Sequence, residues 1–360
     1  MSDNFRIETP DIVIVGLGPA GSRAASAAAA AGLDVVALER RTEAGRPVQC
    51  AELVPALLDQ EVRGLGAARR QTVGRMCTQV ECEPADELDN FPGSMIDRAA
   101  FDGKLAADAA RAGTDCRFGV SLSGVGPDGV VHGSDGSALR PRVVIGADGP
   151  RSRIGAAIGR ANLDLVETRQ ITVPLLAPHD ATDIFLRADY RGGYGWLFPK
   201  GAVANFGIGV VPDARRSLKP LLAALHHELV HAGRVGRDVL CLTGGAIPVG
   251  GRLVSMGWLG RVPVLLAGDA AGLANPVTGA GIAAAVQSGT LAGQAAAAWL
   301  SGTSHALDGY EDELHDIFDA ALARALRRRR ALLAAYGRGR QPDRTQLRAG
   351  WIAYPEYWAA

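Results

Sequence analysis

Lysine is nearly absent from this 360-residue chain: Lys104, Lys200 and Lys219 are the only three. Its basic charge is otherwise arginine, and 38 cations face 38 carboxylates for a formal net charge of zero. A balanced chain of this kind excludes bulk nucleic-acid binding and implies no strongly acidic ligand. Cysteine is also sparse. The five are scattered, with no C-x-x-C pair, which argues against a disulfide framework or a zinc site and predicts reduced thiols and no bound metal. No uninterrupted apolar run approaches the roughly 20 residues of a membrane-spanning helix. The opening residues, MSDNFRIETP, lack the basic-then-apolar order of a secretion signal. A cytoplasmic protein is expected, with peripheral membrane contact left open.

What the chain does have is apolar material, at 48%, and 46 glycines. Its length suits one large domain or two modest ones. The apolar run at 11–15 (DIVIV) predicts a buried parallel strand. It enters residues 16–21 (GLGPAG), then an alanine-rich helix to about residue 31, closed by Gly32. Residues 33–38 read as a second strand ending at Glu39, with Arg40 beside it as a further cofactor-binding candidate. Each part has a physical task. Gly16 permits a tight turn, Gly18 lets the backbone approach a pyrophosphate, and Gly21 lets helix and strand pack closely. Pro19 and Ala20 open the helix, whose free N–H groups would face the phosphates. Glu39 stands where a carboxylate accepts from ribose hydroxyls. A dinucleotide cofactor follows, but this unit alone does not separate FAD from NAD.

A second apolar strand, at 262–266, leads into 267–272 (AGDAAG) and 275–282 (NPVTGAGI), before a long helix of small residues. This stretch resembles the second FAD signature of para-hydroxybenzoate hydroxylase-type flavoproteins. The resemblance implies that Gly268 and Asp269 hold the ribityl chain. It also implies that Pro276, Gly279, Ala280, Gly281 and Ile282 bring a helix start to the flavin's pyrimidine edge, where that start favours negative charge. Residues 143–152 (VVIGADGPRS) resemble the Asp-Gly motif of the same superfamily, which implies that Asp148 borders the flavin. Residues 98–102 (RAAFD) carry the arginine that in these flavoproteins reaches the FAD diphosphate or ribityl region, here Arg98.

The branch within the superfamily rests on two blocks. Residues 47–52 (PVQCAE) resemble the PV-x-CGE segment of the geranylgeranyl reductase family, and 194–200 (YGWLFPK) resemble its YGWxFPK block. Ala51 departs from that pattern, where glycine is usual. The resemblance implies reduction of carbon–carbon double bonds in isoprenoid chains by an FAD-dependent enzyme, with NAD(P)H as transient hydride donor. It implies Cys50 near the reacting face, Tyr194 as a further candidate proton donor, and Trp196 and Phe198 as walls of the substrate cavity. No second strand–glycine–helix unit is present for a separate nicotinamide domain.

The expected fold is α/β: a discontinuous Rossmann-type FAD-binding domain from 1–70, 95–160 and 257–305. A sheet-plus-helix substrate domain would come from 71–94 and 161–256, with strand-like runs at 72–83, 169–176, 182–188, 194–199 and 203–210 and a helix at 218–232. Residues 306–360 would be a helical segment with an aromatic tail at 351–358. Arg324, Arg327, Arg328, Arg329 and Arg330 read as a solvated helix face, and the tail as docked on the body or on a second subunit. Two other functions share the fold: a flavin monooxygenase, and a flavoprotein that passes electrons to a protein partner. A flavin halogenase is disfavoured, since that chemistry needs an early lysine and none precedes Lys104.

Overall fold

The computed structural model describes residues 7–62 and 64–359. The start of the N-terminal segment read above, residues 1–6, lies outside them. Four β-branched or apolar residues, Ile12–Val15, form a fully buried strand at the centre of a six-stranded sheet. The strand order is Met256–Leu259, Val262–Leu266, Val143–Gly146, Ile12–Val15, Val35–Glu39, Asp115–Phe118. Only the pairing of the first two is antiparallel. Central parallel strands bury both faces, so they read as apolar runs. Each fully buried valine, leucine or isoleucine contributes about 1.5–3 kcal/mol.

The helix Pro19–Ala30 packs against both Arg98–Arg111 and Ile282–Leu300. Glycine makes the second contact possible. A Cβ on Gly289 would lie 2.1 Å from the Ala20 carbonyl oxygen, and one on Gly293 would lie 2.4 Å from that of Ala24. The two backbones therefore touch, and the two glycine-rich segments at opposite ends of the sequence become neighbours.

A second, mixed sheet runs Cys241–Thr243, Leu165–Pro174, Val203–Val210, Gly195–Lys200, Ala181–Leu186, Arg75–Val80, Asp86–Leu88, with Ala246–Pro248 also paired to Leu165–Pro174. The helix Leu218–His231 covers one face through Leu218, Leu222, Leu225 and Leu229. The run at 72–83 is not one strand. It breaks at Gly74 into Arg69–Val73, which pairs with Gly93–Ile96 in a separate small sheet, and Arg75–Val80.

The C-terminal part corrects the expectation of a solvated arginine face for three of its five arginines, while Arg327 and Arg330 are exposed. In the helix Ala306–Ala334, Arg329 is buried, Arg328 donates to the carbonyls of Tyr357 and Ala359, and Arg324 lies over the Trp358 ring at 5.3 Å. The tail docks on its own chain, with Trp351, Tyr354 and Tyr357 buried. No described helix is long and apolar enough to cross a membrane.

Candidate active site

Three motifs meet at the carboxyl ends of adjacent parallel strands, the edge where open α/β sheets bind ligands. Gly16 adopts φ +98°, and a Cβ there would lie 2.4 Å from the Ala147 carbonyl oxygen. A Cβ on Gly21 would fall 1.7 Å from the Gly16 oxygen. Gly18 has no neighbour within 4 Å of that position, so its surface is open to a ligand. It also caps the helix Pro19–Ala30 without any side-chain hydrogen bond, leaving backbone donors free. Glu39, at the tip of its strand, accepts from the backbone N–H of Leu17 (2.8 Å) and of Arg41 (2.9 Å). Its carboxylate is thereby fixed beside the glycine loop. Arg40 lies exposed on the rim of the same cleft, with no hydrogen bond among the described residues.

The second motif follows Val262–Leu266. Gly268 takes φ +61° and donates its N–H to the Ser288 hydroxyl. None of the described residues hydrogen-bonds the Asp269 carboxylate, which borders the cleft. Burial pushes its carboxyl up to about 6, with the Arg98 guanidinium pulling the other way. Pro276, Gly279, Ala280, Gly281 and Ile282 line the same space. Gly281 caps the 19-residue helix Ile282–Leu300, again without a side-chain cap. An orphaned carboxylate between two uncapped helix starts fits the ribityl–pyrophosphate stretch of FAD, which brings hydroxyl donors and phosphate charge to those groups.

Arg98 is not a solvated helix start. Its guanidinium grips Asp102 through two bonds, 2.9 and 2.8 Å, on the cleft wall. Burial is the largest single influence and opposes its charge, but Asp102 and the neighbouring Cys50 together outweigh it and hold its pKa above the usual arginine value. The Cys50 sulfur further accepts from the Glu52 N–H at 3.1 Å. Glu52 itself is buried at φ +69°. Its carboxylate accepts from the Arg98 N–H (2.9 Å), Asn205 Nδ2 (2.7 Å) and Lys200 Nζ (2.6 Å). The left-handed residue of this segment is thus Glu52, and Ala51 in the usual glycine position needs no special backbone.

Tyr194 and Asp148 both border the cleft, with their polar groups engaged by neighbouring residues. The Tyr194 hydroxyl donates to the Thr278 carbonyl at 2.6 Å, so it supports the loop before Ile282 and its proton is engaged. Burial, with Cys50 nearby, pushes that hydroxyl further up. The Asp148 carboxylate turns to the Ser152 hydroxyl and to the N–H groups of Arg153 and Ile154, at the start of a short helix that Ser152 caps. It borders the cleft without offering a free carboxylate. Trp196 and Phe198 are buried along the cavity wall. Trp196 Nε1 donates to Gln170, whose Nε2 donates to the Cys50 carbonyl, both at 3.0 Å.

Gly18, Glu39, Cys50, Arg98, Asp269 and Trp196 all border one cavity of about 1390 Å³. It exceeds the roughly 300–1,000 Å³ of an ordinary ligand pocket, so it has room for a large cofactor and a second molecule. Sequence reasoning missed Gln170, Asn205 and Arg329. Arg329 enters the wall from the C-terminal helix and donates to the Gly192 carbonyl at 2.6 Å, while burial pulls its guanidinium down to about 10. Glu52 and Lys200 stood inside the two quoted blocks, but nothing local in either marked them as partners.

Such a cleft, on such a sheet, is the architecture of FAD-dependent oxidoreductases with a dinucleotide-binding domain. No protein-family model matches the chain. It is 32% identical over 348 residues to the digeranylgeranylglycerophospholipid reductase of Methanothrix thermoacetophila, covering 88% of this chain and 85% of that one. With digeranylgeranylglycerophospholipid reductase 2 of Methanopyrus kandleri it shares 34% over 313 residues, 80% and 76% of the two chains. A geranylgeranyl bacteriochlorophyll reductase-like protein of Thermoplasma acidophilum superposes with a TM-score of 0.81 at 29% identity, over 90% of this chain and 88% of that one. PqsL of Pseudomonas aeruginosa, at TM-score 0.72 and 19% identity over 94% and 98%, shares the fold. The chain belongs to the geranylgeranyl reductase family of FAD-dependent oxidoreductases.

Proposed function

We propose that this protein saturates carbon–carbon double bonds of an isoprenoid lipid, with FAD as its cofactor and NAD(P)H as hydride source. The observation that carries this reading is the shared cavity. Asp269 and the uncapped helix starts border it together with Cys50 and the apolar walls Trp196 and Phe198. In this reading 1–70, 95–160 and 257–305 hold the cofactor, 71–94 and 161–256 hold the substrate, and 306–360 close the cavity.

The loop at 16–21 would hold the pyrophosphate, with Glu39 on the adenosine ribose, Arg98 and Asp269 toward the ribityl chain, and the Ile282 helix start at the pyrimidine edge. FAD, when bound, would supply the hydride chemistry for one alkene carbon, with NAD(P)H as the source. The protein's part is to orient the chain, exclude water and deliver a proton to the other carbon. With the Tyr194 proton engaged by Thr278, Cys50 is the better donor. The thiolate left behind would be met by the Glu52 N–H and the Arg98 guanidinium, and water would restore the proton.

The test is anaerobic mixing of the reduced holoprotein with a prenyl lipid. The expected result is flavin reoxidation with a product that gains a hydrogen pair per saturated bond. Reoxidation that needs dioxygen and gives an oxygenated product would assign a monooxygenase instead. Reoxidation only by an electron-accepting protein would assign a redox partner.

A further inference from the structure

The C-terminal segment is fastened to the mixed sheet at several points. Arg344 and Arg348 both pair with Glu83, at 2.8 and 2.7 Å. The Tyr354 hydroxyl donates to Asp86 at 2.7 Å, and the Arg348 guanidinium lies over the Tyr354 ring at 5.5 Å. Arg328 binds the far end through the Tyr357 carbonyl. These anchors flank Trp351, which is 3% exposed and packs against Tyr194 with ring centres 4.7 Å apart and ring planes tilted by 55°.

Trp351 belongs to an apolar cluster with Met76, Ile184, Trp196 and Phe198, and it borders the cavity together with those four and Ile352. Its Nε1 has no hydrogen-bond partner among the described residues. A buried indole normally finds one, so packing alone sets where this ring stands. Charged and hydrogen-bonded contacts hold the chain on both sides, while the ring itself faces only apolar groups and the cavity.

We propose that Trp351 closes the apolar end of the cavity and sets how far an isoprenoid chain enters, which makes it a specificity-determining residue. This rests on the reading of the site as an isoprenoid reductase. Discrimination in an apolar pocket follows the space left for each added carbon, at about tenfold or more per methylene-sized group. An isoprene unit is larger than that, so the effect of opening or filling this wall is readable in rates.

The experiment compares farnesyl and geranylgeranyl diphosphate as substrates of dithionite-reduced holoprotein. The readout is the ratio of their kcat/KM values. Trp351→Ala should move the ratio at least about tenfold toward the longer chain. Trp351→Phe should keep the wild-type ratio, and Ile352→Trp should move it toward the shorter chain. A general loss of packing would lower both rates and leave the ratio unchanged. An unchanged ratio in flavin-loaded Trp351→Ala overturns the proposal while leaving the reductase reading intact. Should Trp351→Ala fail to fold, an unchanged ratio in Ile352→Trp overturns it equally. A wild-type protein that reduces neither chain sinks the reductase reading and this inference with it.

Discussion

The Lys200 ammonium donates a 2.6 Å bond to the Glu52 carboxylate across 148 residues of sequence. One of the chain's three lysines thereby joins the loop carrying Cys50 to the strand carrying Trp196 and Phe198. The same carboxylate receives the first N–H of the helix that begins at Arg98. Cysteine loop, arginine helix and cavity wall are positioned by one buried side chain.

Removing that hub should be costly. Glu52→Ala leaves a largely buried ammonium without its partner, and should destabilise the protein by about 3–5 kcal/mol. Lys200→Met keeps the Asn205 and Arg98 donors on Glu52, and should cost only about 1.5–3 kcal/mol, the range for a hydrogen bond to a charged group. Urea denaturation of both variants measures the difference. Equal and small effects would show that the pair contributes little.

Asp269 predicts a pH dependence with opposite signs in two forms. Without flavin, its carboxyl is protonated more readily when folded than at its ordinary value of 3.8. Its contribution to stability is therefore largest below 3.8 and declines as pH rises toward about 6. Ribityl hydroxyls donate more strongly to the ionised carboxylate. FAD affinity should then be full above about 6 and fall as pH drops through that value. Titration of the apoprotein with FAD across this range checks it, and Asp269→Asn should flatten the profile. A wild-type profile already flat would remove Asp269 from the cofactor site.

Cys50→Ser separates chemistry from packing. The hydroxyl can still accept from the Glu52 N–H, so fold and FAD binding should survive. Lipid reduction should fall at least about tenfold, a barrier change of about 1.4 kcal/mol. Reduction of the flavin by NAD(P)H should change less, since it needs no proton delivered to an alkene. Stopped-flow records of the two half-reactions decide it. Wild-type rates in both would make the cysteine structural.

Gly289→Ala tests the helix contact. Its methyl would meet the Ala20 carbonyl oxygen at 2.1 Å, and the obstacle is backbone. The expected destabilisation is about 1–3 kcal/mol for overpacking, with weaker FAD retention because Ala20 stands at the glycine loop. A melting temperature equal to wild type would show that the helices can part without consequence.

The local grammar of this protein was legible in its sequence. The glycine loop between an apolar strand and an alanine-rich helix is fixed by backbone sterics within a few residues, and Glu39 follows by spacing. Most strands of the mixed sheet showed as β-rich runs. The break at Gly74 did not, because the two halves of that run part only by pairing with different sheets.

What the tertiary structure decided lies in contacts between distant residues. Periodicity gave the helix Ala306–Ala334 but could not say that a tail some 29 residues on would cover Arg328. Nor could spacing show that Arg329 would turn inward, that the Tyr194 hydroxyl would donate a hydrogen bond to the Thr278 carbonyl, or that Glu52 would meet Lys200. A short segment determines its own backbone preferences through local sterics and hydrogen bonding. Which charge is buried, and which group is left unpaired at a cavity wall, depends on what the rest of the chain brings alongside, and only the assembled fold sets that.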